Sequence, residues 1–338
     1  MCKKRFLTIL CLFTIIIGLL STTMSDIKVV NADGKAEIAI ELTHGTVLYE
    51  KNAEAVLPMA STTKIMTALL ICEDCDLSEV ITVPDEAVGI EGSSIYLKHG
   101  EQLSIKDLLY GLMLRSGNDA ACALAIHHSG NVESFVNAMN ERAKQIGAQS
   151  THFSNPSGLP DDSHYTTAKD LCLIACCAMK NDIFAEVVGC KNYSGDYKTF
   201  VNKNKILNLV EGANGVKTGY TIKAGRCLVS SAKRGDMDVV CVVLNCYDMY
   251  ERSGKIIDEC FENFGVHTIS EDTFFNFGGK LCKPARNFSV CVRKDAQLRF
   301  DIVEADESEK KSHAVAKLQI FSENSLIFSE LLYSIDGR

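Results

Sequence analysis

Ser61 and Lys64 are the first pair of residues whose types and spacing could do chemistry together, within Ser61-Thr62-Thr63-Lys64. Residues three apart at the start of a helix lie on one face, so this hydroxyl and this amine can meet. A lysine deprotonates a serine only as a neutral amine, so its pKa has to be lowered by burial or by nearby positive charge. By itself, the same spacing is also typical of a capped, solvated helix start.

Ser116 and Asn118 form a second pair, separated by Gly117. From a loop or a helix end, two such side chains can point into one cleft. The hydroxyl of Ser116 can relay a proton, and the amide of Asn118 can bind a backbone group of a substrate. The alternative interpretation is an ordinary helix cap after Leu114-Arg115.

Lys217-Thr218-Gly219, followed by Tyr220, is the third group. The lysine supplies positive charge, the threonine can donate a hydrogen bond to an anionic end of a substrate, and the glycine lets a substrate backbone approach closely. We expect this stretch to lie on or beside an edge strand that lines a cleft. The alternative is a surface turn.

The elements that must bring these groups together begin and end with strands. Strand patterns occupy residues 38–49, 227–232 and 239–245, and helical patterns occupy 61–72, much of 80–179, and 253–264. This order predicts an α/β sheet domain that carries a helical insertion at about residues 80–185. From about residue 275, alternating apolar residues predict a small all-β appendage.

The composition is that of a globular protein, with 338 residues, 46% of them hydrophobic and 23% charged. This length suits two ordinary domains, or one large domain with an appendage. The net charge of −8 argues against nucleic acid as a partner.

The N-terminus has the pattern of an export signal. Lys3, Lys4 and Arg5 precede an apolar run at residues 6–20, which is short for a spanning helix. We expect residues 1–32 to be a signal peptide that is cleaved after Ala32. An uncleaved anchor is the alternative, and it would give weak membrane association. No basic amphipathic stretch closes the sequence, so we expect at most a weak C-terminal anchor.

The 15 cysteines do not read as a disulfide framework. Loss of the signal would leave an odd number, and many of the rest fall in helix or strand patterns, so we interpret them as small buried hydrophobic residues. Cys72 and Cys75 have a spacing found in zinc and redox sites, but no second pair or histidine cluster completes such a site. We expect no metal and no cofactor.

Together, the three groups and their surroundings resemble the low-molecular-mass penicillin-binding D-alanyl-D-alanine carboxypeptidases. The resemblance runs from about residue 36 to the end. It is carried by Pro58-Met59-Ala60-Ser61-Thr62-Thr63-Lys64-Ile65-Met66-Thr67-Ala68-Leu69, Gly92-Ser93-Ser94, Leu109-Tyr110-Gly111-Leu112-Met113, Ser116-Gly117-Asn118-Asp119-Ala120 and Gly215-Val216-Lys217-Thr218-Gly219-Tyr220-Thr221.

The resemblance implies an architecture and a cellular setting. The fold would be a β-lactamase/transpeptidase-like catalytic domain with a helical subdomain at residues 33–268, followed by a small β-rich domain at 275–338. The enzyme would work at the outer face of the cytoplasmic membrane or in the cell wall. Its partners would be peptidoglycan stem peptides that end in D-Ala-D-Ala, and β-lactams would inhibit it covalently.

The resemblance also implies roles for the reacting groups. Ser61 would attack the carbonyl of the penultimate D-alanine and form an acyl-enzyme, and Lys64 would take its proton. Ser116 would pass the proton towards the leaving amine. The backbone N–H groups of Ser61 and Tyr220 would form the oxyanion hole.

Four further residues would bind the substrate or tune the site. Asn118 would hold the peptide amide, and Lys217 would help to keep Lys64 neutral. Thr218 would bind the terminal carboxylate, assisted by Arg252.

Two positions depart from the family pattern, because many relatives have histidine at Ser157 and some have arginine at Lys203. Two other functions remain open on the sequence. A β-lactamase shares the first and third motifs, although Ser-Gly-Asn stands here in place of the Ser-Asp-Asn of that family. A non-catalytic wall-binding relative is the other, although all the motif residues are intact.

Overall fold

The structure is a computed structural model that describes residues 34–335. The predicted signal peptide at residues 1–32 lies outside the described residues. In chain order the first part contains β1 (Ala36–Glu41), β2 (Val47–Lys51), a 3-10 turn (Ala60–Thr63), α1 (Lys64–Asp74), β3 (Val80–Thr82), a second 3-10 turn (Asp85–Ala87), β4 (Gln102–Ser104), α2 (Ile105–Arg115), α3 (Asn118–Ser129), α4 (Val132–Ile146), α5 (Ala168–Met179) and α6 (Asp182–Gly189).

The second part is rich in strands. It contains β5 (Asn192–Ser194), β6 (Thr199–Val201), α7 (Ile206–Leu209), β7 (Ala213–Thr221), β8 (Gly225–Arg234), β9 (Met237–Leu244), α8 (Met249–Asn263), β10 (Phe264–Ile269), β11 (Phe275–Phe277), β12 (Lys280–Pro284), β13 (Phe288–Arg293), β14 (Leu298–Glu304), α9 (Glu307–Lys310), β15 (Ala314–Ser322) and β16 (Ser325–Ser334).

The central sheet has the strand order β2-β1-β9-β8-β7, and each neighbouring pair is antiparallel. Successive side chains of a strand point to opposite faces of the sheet, and here both sets are apolar. On β9, Val240 and Val242 belong to the core shared with α1 and α5, whereas Val239 and Cys241 belong to the core shared with α8. The sheet is therefore covered by helices on both faces, and β7 is an edge strand.

Helices α2 and α3 meet at a sharp bend, which sets one wall of the site. The side chain of Ser104 caps α2 by accepting a hydrogen bond from the backbone N–H of Asp107 at 3.0 Å. The helix ends at Ser116, whose φ of 65° is left-handed, and α3 starts two residues later. The bend places Ser116 and Asn118 at a helix junction, as expected.

The C-terminal strands form a five-stranded sheet, β11-β12-β16-β15-β14, and a two-stranded pair, β10-β13. Residues such as Leu318, Ile320 and Leu332 form its separate core. The strand Phe264–Ile269 overlaps the end of the range predicted for the catalytic domain, residue 268, and pairs with Phe288–Arg293. The predicted fold class, an α/β domain with a helical region and an all-β C-terminal part, is confirmed.

Two further features concern the cysteines and the membrane. All thirteen cysteines within residues 34–335 are free thiols, and ten of them are buried. Among these residues, no helix combines the length and the apolar character that a membrane crossing requires.

Candidate active site

Ser61 lies in the 3-10 turn Ala60–Thr63, directly before α1. The turn begins with Ala60 in a left-handed conformation, at φ 49°. Two hydroxyl groups fix it: Thr62 donates to the carbonyl of Met59 at 2.6 Å, and Thr63 donates to that of Ala60 at 2.7 Å. Ser61 itself remains half-buried.

Lys64 is fully buried one helical turn beyond Ser61. Its Nζ lies 3.2 Å from Oγ of Ser61, 2.7 Å from Oδ1 of Asn118 and 2.5 Å from the carbonyl oxygen of Ser157. A neutral amine has two N–H groups and one lone pair. The two carbonyl oxygens can accept hydrogen bonds but cannot donate them, so they take the two N–H groups. The lone pair is left for the hydroxyl proton of Ser61.

The surroundings of Lys64 favour this neutral form. Burial lowers its pKa well below the usual value, the charge of Lys217 lowers it further, and the carboxylate of Asp119 opposes the shift. Desolvation and a neighbouring like charge both disfavour an ammonium group. The geometry and the electrostatics therefore agree on a neutral amine whose lone pair faces Ser61.

Asn118 connects the base to the loop that precedes α2. Its Nδ2 donates to the carbonyl of Glu91 at 2.7 Å, and its backbone N–H donates to that of Ser93 at 2.7 Å. The next residue, Asp119, is buried and accepts from the hydroxyl of Ser94 at 2.5 Å and from two backbone N–H groups of the same loop. The amide and the carboxylate thus fix this loop beside Lys64.

Ser116 is half-buried at the end of α2, two residues before Asn118. Within residues 34–335 its hydroxyl makes no hydrogen bond. A hydroxyl without a partner at this bend can accept and pass a proton once a substrate is bound. The structure brings Ser116 next to Asn118 but shows no direct contact with Lys64.

Strand β7 lies against the Ser61 turn, because Gly219 has no side chain. A β-carbon at Gly219 would lie 3.1 Å from the backbone nitrogens of Ser61 and Thr62 and from the carbonyl oxygen of Met59. The prediction that this motif lies on an edge strand is confirmed. Thr218 beside it is half-buried, and Tyr220 is 64% exposed.

Lys217 is buried on the same strand and donates to the carbonyl of Thr218 at 2.9 Å. It is paired across the sheet with Val229, which belongs to the core on the α1 side, so its side chain faces Lys64. Burial lowers the pKa of Lys217 to about 7, and the charge of Lys203 contributes to the shift.

Basic side chains cluster around Lys217, on the side of β7 that faces Lys64. Burial and the nearby charge of Arg115 also lower the pKa of Lys203. None of Lys64, Lys217, Lys203 and Arg115 forms a salt bridge within the described part of the chain. In a protein with a net charge of −8, this cluster favours an anionic ligand.

Arg252 does not belong to this site, and its predicted contact with the substrate is wrong. It is 4% exposed, and its guanidinium donates to both carboxylate oxygens of Glu37, at 3.0 and 2.8 Å. Glu37 lies on β1, on the face that packs against α8, whereas Lys217 lies on β7 and on the other face. Two strands and the thickness of the sheet therefore separate Glu37 from Lys217. Arg252 neutralises the buried carboxylate of Glu37 and does not face Ser61.

The structure adds positions that the sequence motifs did not single out. Gly158, at φ 86°, packs under the turn, and a β-carbon there would overlap the carbonyl oxygen of Ala60 and lie 2.9 Å from the nitrogen of Ser61. The carbonyl of Ser157 binds Lys64 regardless of the residue type at that position. His164 contacts Thr63.

Known proteins have sequences similar to this one. The sequence profile of the Peptidase_S11 family, described as D-alanyl-D-alanine carboxypeptidase, matches residues 22–248. The D-alanyl-D-alanine carboxypeptidase DacF of Bacillus subtilis is 36% identical over 281 residues, which are 76% of this chain and 72% of that protein. A D-alanyl-D-alanine carboxypeptidase of Streptomyces sp. strain K15 is 37% identical over 222 residues, 59% of this chain and 76% of that protein.

Solved structures extend the comparison to the fold. The D-alanyl-D-alanine carboxypeptidase of Mycobacterium tuberculosis H37Rv has a TM-score of 0.67 at 30% identity, over 71% of this chain and 95% of that one. Penicillin-binding protein 5 of Haemophilus influenzae has a TM-score of 0.75 at 22% identity, over 91% and 98%, and shows the shared fold including the C-terminal strands. By sequence and by fold, the chain belongs to the D-alanyl-D-alanine carboxypeptidase family.

Proposed function

We propose that this protein is a serine-type carboxypeptidase that removes the terminal D-alanine from peptidoglycan stem peptides ending in D-Ala-D-Ala. The observation that carries the proposal is the 3.2 Å approach of the buried Lys64 amine to Oγ of Ser61. Both N–H groups of that amine are used by fixed carbonyl oxygens, at Asn118 and Ser157. Such a lysine is suited to general base catalysis on the serine.

In the first half-reaction, the Oγ of Ser61 forms a bond to the carbonyl carbon of the penultimate D-alanine. The hydroxyl proton moves to Nζ of Lys64. The bond from that carbon to the nitrogen of the terminal D-alanine then breaks, and the leaving amine takes a proton by way of Ser116. In the second half-reaction, water attacks the carbonyl carbon of the ester and gives a proton to Nζ of Lys64. The bond from that carbon to Oγ then breaks, Oγ takes the proton back from Lys64, and the shortened peptide leaves as a carboxylic acid.

The developing oxyanion would lie between the Ser61 turn and β7. We assign its stabilisation to the backbone N–H groups of Ser61 and Tyr220. The support is the close packing of Gly219 against the nitrogen of Ser61, which leaves no space for a side chain between the two segments. Removal of one donor from an oxyanion hole typically costs about 100- to 1000-fold in rate.

The anionic end of the substrate would meet the cationic side of the cleft. We assign the terminal carboxylate to Thr218, with Lys217 and Lys203 supplying the positive potential. Asn118 would change partners or share its amide when it binds the peptide, because both of its polar atoms are already bonded. β-Lactams carry a carboxylate in the corresponding place and would acylate Ser61.

We place this activity outside the cytoplasm, where the substrate lies, in the cell wall or at the outer face of the membrane. An uncleaved signal would add weak membrane association.

Two measurements test the function. Mass spectrometry after benzylpenicillin treatment should show one covalent adduct, on Ser61, and a peptide ending in Lys-D-Ala-D-Ala should release D-alanine. Ser61→Ala should lose both, whereas Ser157→Ala should keep both, because only the backbone carbonyl of Ser157 contacts the base. Wild-type-like release by Ser61→Ala would refute the mechanism.

Nitrocefin, together with the same penicillin and peptide, separates the alternative functions. A β-lactamase would hydrolyse nitrocefin with rapid multiple turnover, whereas the carboxypeptidase should release bound penicillin slowly. A non-catalytic wall-binding protein would give neither an adduct nor D-alanine.

A further inference from the structure

His164 links the loop before α5 to the turn that carries Ser61. It is 4% exposed. The backbone N–H of Ser154 donates to its Nδ1 at 3.0 Å, and its Nε2 lies 2.7 Å from Oγ1 of Thr63. The Thr63 hydroxyl in turn donates to the carbonyl oxygen of Ala60 at 2.7 Å.

These contacts fix the protonation of the imidazole. A backbone N–H can only donate, so Nδ1 must carry a lone pair, and the ring proton is on Nε2. Nε2–H then donates to Oγ1 of Thr63, and the hydroxyl proton of Thr63 is left for Ala60. Burial lowers the pKa of His164 to about 4, which keeps the ring in this neutral form at neutral pH.

The end of this chain of hydrogen bonds is a strained backbone position. Ala60 has a φ of 49°, a left-handed conformation that residues with a side chain rarely adopt. It is followed at once by Ser61, so its conformation sets the direction of the nucleophile. Gly158 leaves the space that its carbonyl needs.

We propose that His164 is a positioning residue for the acylation of Ser61, acting through Thr63 to hold the carbonyl of Ala60. It touches neither the substrate nor the base. The inference rests on the proposed role of Ser61 as nucleophile. A serine moved by a fraction of an ångström still binds ligand but reacts more slowly, so the effect should fall on the chemical step.

Substitution tests this role better than pH does. Asp161, His152 and Lys64 all act on the charge of His164, and protonation of Lys64 also stops acylation on the acid side. We therefore compare His164→Asn with the matched change His152→Asn on the same loop, whose Nδ1 bonds only the carbonyl of Ser163. The measured quantities are the rate constant for acylation by benzylpenicillin and the dissociation constant of the non-covalent complex.

His164→Asn should lower the acylation rate constant by about 10- to 100-fold and leave the dissociation constant within about twofold. His152→Asn should leave both unchanged. Thr63→Val, which removes the hydroxyl, should show the same loss as His164→Asn, and Thr63→Ser, which keeps it, should restore the wild-type rate. Melting curves confirm that each variant is folded.

A folded His164→Asn or Thr63→Val protein that acylates at the wild-type rate would overturn the inference. If His164→Asn does not fold, the Thr63 pair still decides. A ¹⁵N NMR spectrum of the wild-type imidazole is a further check: a proton on Nδ1 instead of Nε2 would also overturn it. Wild-type protein that forms no penicillin adduct would instead reject the proposed function, so the two failures are distinguishable.

Discussion

The side-chain oxygen of Asn118 accepts a hydrogen bond from the buried amine of Lys64 at 2.7 Å. The second motif thus holds the base of the first, before any substrate arrives. An uncharged acceptor suits this place, because a carboxylate would stabilise the ammonium form of the lysine.

Asn118→Asp should therefore reduce acylation by roughly 100-fold or more at neutral pH. The new negative charge raises the pKa of Lys64, so the acid limb of the acylation rate should move to higher pH. Stopped-flow measurement of the acylation rate constant between pH 5 and pH 10, about the range in which a shifted lysine titrates, gives the position of this acid limb. Asn118→Leu is the control, since it removes the hydrogen bond without adding charge. An unmoved limb in Asn118→Asp would contradict the role of Lys64 as a neutral base.

Lys203→Gln tests the cationic side of the cleft. Lys217 has a pKa lowered to about 7, so it loses its charge as the pH rises through that value, and kcat/KM for an anionic peptide should fall there. Removal of the like charge at Lys203 raises the pKa of Lys217. The alkaline limb should move to higher pH by roughly half a unit or more. Lys205→Gln, two residues further along the chain, should leave the limb in place, and equal shifts in the two variants would argue against this coupling.

Gly219→Ala should slow acylation by up to about 100-fold, because its methyl group would lie 3.1 Å from the backbone nitrogens of Ser61 and Thr62. The turn or β7 must then give way, and a small displacement of the nucleophile is enough to slow the chemical step. Gly265→Ala is the matched control, since its β-carbon would meet only Lys294 at an ordinary 3.6 Å. Penicillin adduct formation, followed by mass spectrometry, distinguishes them. Normal labelling of Gly219→Ala would show that the strand has room to spare.

Arg252→Met should destabilise the protein without changing the chemistry. Removal of one partner from a buried ion pair leaves the other charge uncompensated, which typically costs about 3–5 kcal/mol in the free energy of unfolding. Glu37 is fully buried, and in this variant its negative charge would have no cationic partner. Lys255→Met breaks an exposed pair with Glu251 on the same helix and should cost less than about 1 kcal/mol.

Urea unfolding measures the free energies, and acylation well below the melting temperature measures the chemistry. A large rise in the KM of Arg252→Met at unchanged stability would restore the arginine to the substrate site.

Lys217→Met should raise the stability at neutral pH. Burial lowers the pKa of Lys217 to about 7 in the folded protein, against an ordinary value of 10.5. Between these values the unfolded chain binds more protons than the folded one, so the stability of the wild type rises with pH, and the advantage of the methionine variant should shrink towards pH 10.5. Melting temperatures at several pH values check this. A variant that is less stable at every pH would contradict it.

The motifs predicted which side chains come together, because the chemistry that they suggest depends on residue type and short spacing. Ser61 and Lys64 meet within one helical turn, and Lys217 lies on an edge strand, as expected. Arg252 was misplaced because a matching position along the chain does not show which face of the sheet a side chain occupies. Glu37, which decides this, lies 215 residues earlier.

Other parts of the site were not predictable for different reasons. Ser157 contributes a backbone carbonyl, and a backbone group leaves no mark on the residue type. His164 meets Thr63 across 101 residues, without any motif that joins them. The alternation of apolar residues predicted strands in the C-terminal part. The pairing of Phe264–Ile269 with Phe288–Arg293 appears only in three dimensions.

The strand order also has a consequence for how the enzyme is made. β1, from the beginning of the described chain, lies between β2 and β9. The sheet therefore cannot assemble fully until residue 244 is present. Contacts this distant form late and slowly during folding. Ser61 would consequently stay unreactive on a growing or partly folded polypeptide, and its reactivity would emerge only after the central sheet has formed.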